Sequence, residues 1–205
     1  MVLDIHAGGN EGAFPLCTSF HPIPDPAQRA EIARVAQLFD TSFINVYSGE
    51  LGSGLLTDEA EAERKVTLGG EFGFGESVNA KGVLHAYEGT RSVLCHSRML
   101  PGGVVNINSS RAAPPRFVAA KHLSDYIPCP KDGIWEPAAG LGVDVRQGEL
   151  LGCLHDFSDH SLPLLEIRAD RSGALINDAS CRRVQDRSDA LRDCPRGPNG
   201  NWGAS

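Results

Sequence analysis

Residues 2–10, Val2-Leu3-Asp4-Ile5-His6-Ala7-Gly8-Gly9-Asn10, set an acid and an imidazole two positions apart in a short apolar run. Strand side chains alternate, so Asp4 and His6 project from one face. Gly8-Gly9 then frees the backbone to turn. The carboxyl end of a buried strand is where open α/β sheets bind ligands. There a histidine suits metal ligation, and an acidic neighbour fixes the orientation of its ring. The same pair is also compatible with an ordinary strand end. A second residue of interest is Glu71, which follows Gly69-Gly70 and precedes Gly73 and Gly75. A general base must reach the water it deprotonates, and flanking glycines let backbones crowd around its carboxylate. From residues alone, Glu71 is equally well an acid in a glycine-rich turn.

The elements that would hold these residues follow from pattern. Asp25-Pro26-Ala27-Gln28 is a helix start, with Asp25 as cap and proline in the first turn. Ile32, Val35, Ala36 and Phe39 mark one apolar face, ending near Asp40. Residues 43–47 read as a strand, and so do residues 66–71. Strand, helix and strand in this order suit an α/β sheet. Between them, residues 48–54 form a glycine-rich loop holding Glu50, solvated or facing substrate, and no Gly-Lys-Ser/Thr follows to cradle phosphate. Residues 58–65 are acidic then basic and read as a solvated helix or turn. Residues 77–100 carry Val83, Tyr87 and Leu94 at near-helical spacing, although Gly82 and Gly89 weaken a single unbroken helix. On this segment Arg91 reads as a surface residue or a carboxylate binder, and His85 and His96 as structural or exposed. Residues 104–115 have the composition of a linker.

From residue 116 the pattern changes to short β runs at 117–123, 133–135, 149–154 and 164–167, separated by Gly-containing turns. This reads as a small antiparallel barrel or sandwich. It is similar to biotinyl/lipoyl-like modules but lacks a Met-Lys-Met-like hairpin, so Lys121 and Lys131 are not carrier lysines. His155, Asp156, Asp159 and His160 form an exposed polar hairpin, with metal binding as the alternative.

Composition narrows the class. Hydrophobic residues make up 41%, enough for a packed core. A net charge of −7 without a dense basic stretch argues against a nucleic-acid partner. No apolar run approaches the length that spans a bilayer, and the start lacks a signal-peptide pattern. The six cysteines form no Cys-x-x-Cys pair and read as free thiols in a reducing compartment, with cytoplasm as the expected address.

Three segments, in order, resemble the carboxyl-terminal part of the succinylglutamate desuccinylase/aspartoacylase family, a zinc carboxypeptidase-like group. They are Leu3-Asp4-Ile5-His6-Ala7-Gly8-Gly9, then Thr67-Leu68-Gly69-Gly70-Glu71-Phe72-Gly73-Phe74-Gly75, then Cys129-Pro130-Lys131-Asp132-Gly133-Ile134-Trp135-Glu136-Pro137 with the run 141–152. The resemblance implies a partial zinc-carboxypeptidase-like α/β sheet domain at 1–112, without its amino-terminal part, and a small all-β barrel or sandwich domain at 113–176 that shapes the substrate entrance. It implies His6 as a zinc ligand, Asp4 as the acid that orients it, and Glu71 as the catalytic base. The implied reaction removes an acyl group from an N-acyl amino acid or similar small amide. Family members carry two further zinc ligands in a His-x-x-Glu motif ahead of the Asp-x-His strand, whereas this chain starts at Met1, directly before it. The expectation is therefore one zinc ligand of three, and weak or no activity without a complementing chain or homo-oligomer. The rival reading is a non-catalytic fragment or protein-interaction module. Residues 177–205 lose the apolar pattern that normally closes the β domain and read as an irregular polar tail or a shifted reading frame.

Overall fold

The computed structural model describes residues 1–9, 12–47, 54–75, 78–108, 113–156, 161–179, 183–184 and 190–194. Its amino-terminal half is a five-stranded mixed sheet flanked by helices. The strands are β1 (Val2–His6), β3 (Cys17–Phe20), β4 (Phe43–Tyr47), β5 (Thr67–Glu71) and β6 (Arg116–Ala120), in the order β1-β5-β3-β4-β6. β1 and β5 run parallel, while β3 pairs antiparallel with β5 and parallel with β4. Alternation gives the sheet two unlike faces. One face carries Leu3, Leu68, Phe20, Ile44, Val46, Phe117 and Ala119, and packs on the helices. The other carries Asp4, His6, Ser19, Asn45, Thr67 and Glu71.

Three helices follow from local chemistry. In α1 (Pro26–Gln37), Asp25 accepts the Gln28 N–H at 2.9 Å as the cap, and Ile32, Val35 and Ala36 enter the core. α2 (Leu56–Ala62) is short, and its Asp58 accepts the Leu55 N–H at 3.0 Å. α3 (Ala80–His96) is unbroken, against the sequence expectation. Its two glycines are contact points: a Cβ on Gly82 would collide with the Phe72 carbonyl, and one on Gly89 with the Phe39 ring. Helix α3 thereby lies directly against the chain that leaves Glu71. Gly82→Ala is expected to destabilise by about 2–3 kcal/mol despite alanine's better helix propensity, because a backbone oxygen cannot step aside. Thermal unfolding followed by circular dichroism measures this, and an unchanged midpoint would refute the close contact.

Among the described residues of the carboxyl-terminal half the regular elements are strands and a short 3-10 turn at Leu123–Asp125. Its strands are β7 (Tyr126–Pro128), β8 (Gly133–Pro137), β9 (Asp144–Val145), β10 (Leu150–His155), β11 (Leu165–Arg168), β12 (Gly173–Ala179), β13 (Arg183–Val184) and β14 (Ala190–Cys194). One sheet runs β11-β10-β8-β13; the other runs β2-β12-β14-β7, where β2 is Gly12–Ala13. Trp135, Leu151, Leu154 and Leu175 form their core.

Two boundaries differ from the sequence expectation. β6 is an edge strand of the first sheet, so the β-rich half starts after it and not at residue 113. An apolar run such as Phe117-Val118-Ala119-Ala120 looks the same in either sheet; its parallel pairing with β4 is the deciding interaction. The tail boundary at 176/177 falls inside β12, and β13 and β14 pair with β8, β12 and β7. Asn177 and Asp178 are polar but buried, and Asp178 Oδ1 accepts the Trp135 Nε1–H at 2.7 Å. The halves are joined through β2–β12 pairing and by Ala174 and Ile176 packing against Cys17, Phe43, Val118 and Ala120. Among the described residues no helix is long and apolar enough to cross a membrane.

Candidate functional site

The parallel pairing of β1 with β5 sets His6 opposite Glu71, at the carboxyl ends of both strands. Register partners point to the same face, so the two side chains share one surface. The segments that follow are tied together: Phe72 N–H donates to His6 O at 2.9 Å, Gly8 N–H to Gly73 O at 2.9 Å, and Gly75 N–H to Gly9 O at 2.7 Å. Asp4 lies two residues back on the same face, with Oδ2 2.8 Å from His6 Nε2. That contact holds the ring by one nitrogen and leaves the Nδ1 lone pair available to a metal ion. The His6 side chain is 57% exposed, at the sheet's edge strand. Glu71 is half-buried, with Cys17 of β3 as its partner on the other side. Gly70 leaves room for the Phe72 ring and for β3, since a Cβ there would lie 2.5 Å from Phe72 Cε2 and 3.0 Å from Cys17 O. All three residues singled out from the sequence, Asp4, His6 and Glu71, thus meet at one end of one sheet face.

A second polar cluster was not legible in the sequence. His21 follows β3 at the opposite end of the sheet, beside the start of β5. Its Nδ1 is 2.9 Å from Glu61 Oε2 and 3.6 Å from Asp58 Oδ1. Glu61 Oε1 also accepts the Thr67 hydroxyl at 2.5 Å, and Gln28 Nε2 donates to the carbonyls of Glu61 and Lys65. Residues 58–65 are therefore not simply solvated: Asp58 and Glu61, three apart on α2, turn inward together. The available signal was this i, i+3 acid pair. His21, Asp58 and Glu61 form a donor group able to hold a metal ion. The Tyr47 ring stacks obliquely on His21, 4.2 Å between centroids. Burial raises the Tyr47 phenol above its ordinary pKa; a hydrogen bond with Thr57 opposes this, and the negative charges of Glu61, Asp58 and Asp4 add to the rise.

The other polar residues have structural partners. His85 Nδ1 lies 2.9 Å from the buried Phe39 carbonyl, His96 Nε2 is 2.8 Å from Glu31, and Arg91 donates to Glu88. In the β-rich half, His155 Nε2 is 2.6 Å from Glu136, and Lys131 donates to Asp156 at 3.0 Å. Asp159, His160 and Glu50 lie outside the described residues. Cys17, Cys95, Cys129 and Cys153 are in no disulfide bond.

No protein-family model matches the chain. A curated relative, the N-alpha-acetyl-L-2,4-diaminobutyric acid deacetylase of Halomonas elongata, is 25% identical over 177 residues. The alignment covers 85% of this chain and 50% of the relative, so the chain spans about half the length of the curated relative it matches. Among solved structures, a succinylglutamate desuccinylase/aspartoacylase from Rhodobacter sphaeroides superposes with a TM-score of 0.87 at 28% identity, covering 97% of this chain and 59% of that one. The product-bound ectoine utilization protein EutE (DoeB) of Ruegeria pomeroyi gives a TM-score of 0.83 at 22% identity, covering 94% of this chain and 57% of that one.

Proposed function

We propose that this chain, whose solved neighbours are members of the succinylglutamate desuccinylase/aspartoacylase family, is the base-bearing part of a zinc-dependent hydrolase that removes an acyl group from an N-acyl amino acid or a similar small amide. The observation that carries this reading is the pairing of His6 with Glu71 across β1 and β5. Glu71 takes a proton from the attacking water and returns it to the leaving amine as the C–N bond breaks, so the amide and one water become a carboxylate and an amine. Asp4 holds the His6 ring by Nε2, which leaves Nδ1 for a metal ion. A catalytic zinc takes three protein ligands and an open position. His6 fits as one of them; among the described residues it belongs to no group of three donors around one point. When bound, zinc would polarise the acyl carbonyl and acidify its water.

On this reading the 205-residue chain alone is a weak catalyst or none. A chimera tests it: the amino-terminal part of the Rhodobacter sphaeroides neighbour joined ahead of Met1. With zinc, the chimera is expected to release amine from N-acetyl or N-succinyl amino acids, whereas the chain alone is not. A chimera that folds, binds zinc and hydrolyses neither class would defeat the proposal. A second reading, a module that pairs with another polypeptide, draws on β1 being an edge strand whose Ile5 is 46% exposed. Light scattering of the purified chain that returns only a well-behaved monomer weighs against that alternative.

A further inference from the structure

We infer that His21, Asp58 and Glu61 form a binding site for a divalent transition-metal cation, at the end of the sheet opposite His6 and Glu71. The two sites are separated by the length of β5, about 13 Å for four residue steps. This inference does not rest on the hydrolase reading. The donor atoms all lie within 4.8 Å of one another, and Nδ1 is 2.9 and 3.6 Å from the two carboxylates. Ligands about 2.0–2.2 Å from a tetrahedral zinc are spaced about 3.3–3.6 Å apart, so small side-chain adjustments close the polygon.

The charge of the cluster points to a cation. The side chains of Glu61 and Asp58 are 11% and 28% exposed, and among the described residues no lysine or arginine pairs with either. Holding two partly buried carboxylates beside one imidazole costs free energy unless positive charge joins them. His21 is 7% exposed, and its Nε2 has no partner. Asn45 is 3% exposed, and its Oδ1 also has none. By the β3–β4 register, Ser19 faces Asn45, which puts Asn45 diagonal to His21 on the same face. With the ring proton on Nε2, Nδ1 presents a lone pair toward two carboxylates and a cation between them satisfies all three; with the proton on Nδ1, His21 donates to Glu61 instead.

The test uses the full chain, stripped with a chelator and titrated with zinc or manganese, without any activity assay. Calorimetry is expected to show one equivalent bound at this site, and a thermal midpoint that rises with metal and falls again with chelator. Nitrogen-15 spectra of the histidine side chains are expected to show His21 Nδ1 unprotonated and shifted by zinc. Asp58→Asn, which keeps an acceptor for the Leu55 N–H, should weaken binding at least tenfold; His6→Ala should leave the His21 response unchanged. If Asp58→Asn fails to fold, the spectra of the unaltered chain decide. A His21 Nδ1 that keeps its proton at saturating metal, or Asp58→Asn that binds as tightly as the parent, overturns the inference and leaves a hydrogen-bonded clip for α2.

Discussion

Exchanging Glu71 for glutamine in the active chimera is expected to lower kcat about a thousandfold, within the range that a positioned general base contributes. Glutamine keeps the size and one carbonyl oxygen of the carboxylate but cannot accept and return a proton. KM should change little, because the substrate's own contacts are untouched. Folding should change little too: Glu71 is half-buried at a strand end, and its strand is held by backbone pairing to β1 and β3. Zinc content should also match the parent, since Glu71 is a base in this reading and not a ligand. The discriminating comparison is His6→Ala in the same chimera, which should lose zinc and activity together. A Glu71→Gln variant that keeps more than a tenth of parental kcat would remove Glu71 from the chemistry, whatever the fate of His6.

Local signals in the sequence reached the Glu71 end of the site but not the His21 end, for a physical reason. Asp4 and His6 sit within one strand, and the glycine turns on either side of Glu71 mark its loop, so short-range pattern singles these residues out, while their roles come from the family resemblance. His21 and Glu61 are forty residues apart and meet only because β3 runs antiparallel to β5. Period-two alternation is the same for parallel and antiparallel strands, so nothing local announced that meeting. The same limit explains β6, whose apolar run carries no mark of which sheet it joins. The helix ends were legible because the capping of α1 by Asp25 is local chemistry. Gly82 and Gly89 misled for the converse reason: helix propensity counts a glycine as a cost, whereas here Phe72 and Phe39 leave no room for anything larger.

Ending the chain after Ile176 is expected to disrupt the β-rich half, although residues 177–205 have the composition of a dispensable tail. The cut removes the last residues of β12, which pair with β2. It removes β14, which lies between β12 and β7, and β13, which covers the edge of β8. It also leaves the buried Trp135 Nε1–H without its Asp178 acceptor. The last loss can be isolated. Asp178→Ala should destabilise by about 2 kcal/mol, the usual scale for a hydrogen bond to a charged group, or about 4–8 °C in a domain of this size. Asp178→Asn, which keeps an acceptor oxygen, should recover most of that. Truncation adds the unpaired edges of β7, β8 and β12 to this cost, and exposed strand edges favour association. The chain has two tryptophans, Trp135 and Trp202, so the truncated chain keeps only Trp135 as a reporter. A red-shifted emission and loss of the cooperative transition are expected. Measured against the full chain carrying Trp202→Phe, an unaltered emission and an unaltered midpoint would mean that the last strands contribute nothing, and the tail would revert to the dispensable segment its composition resembles.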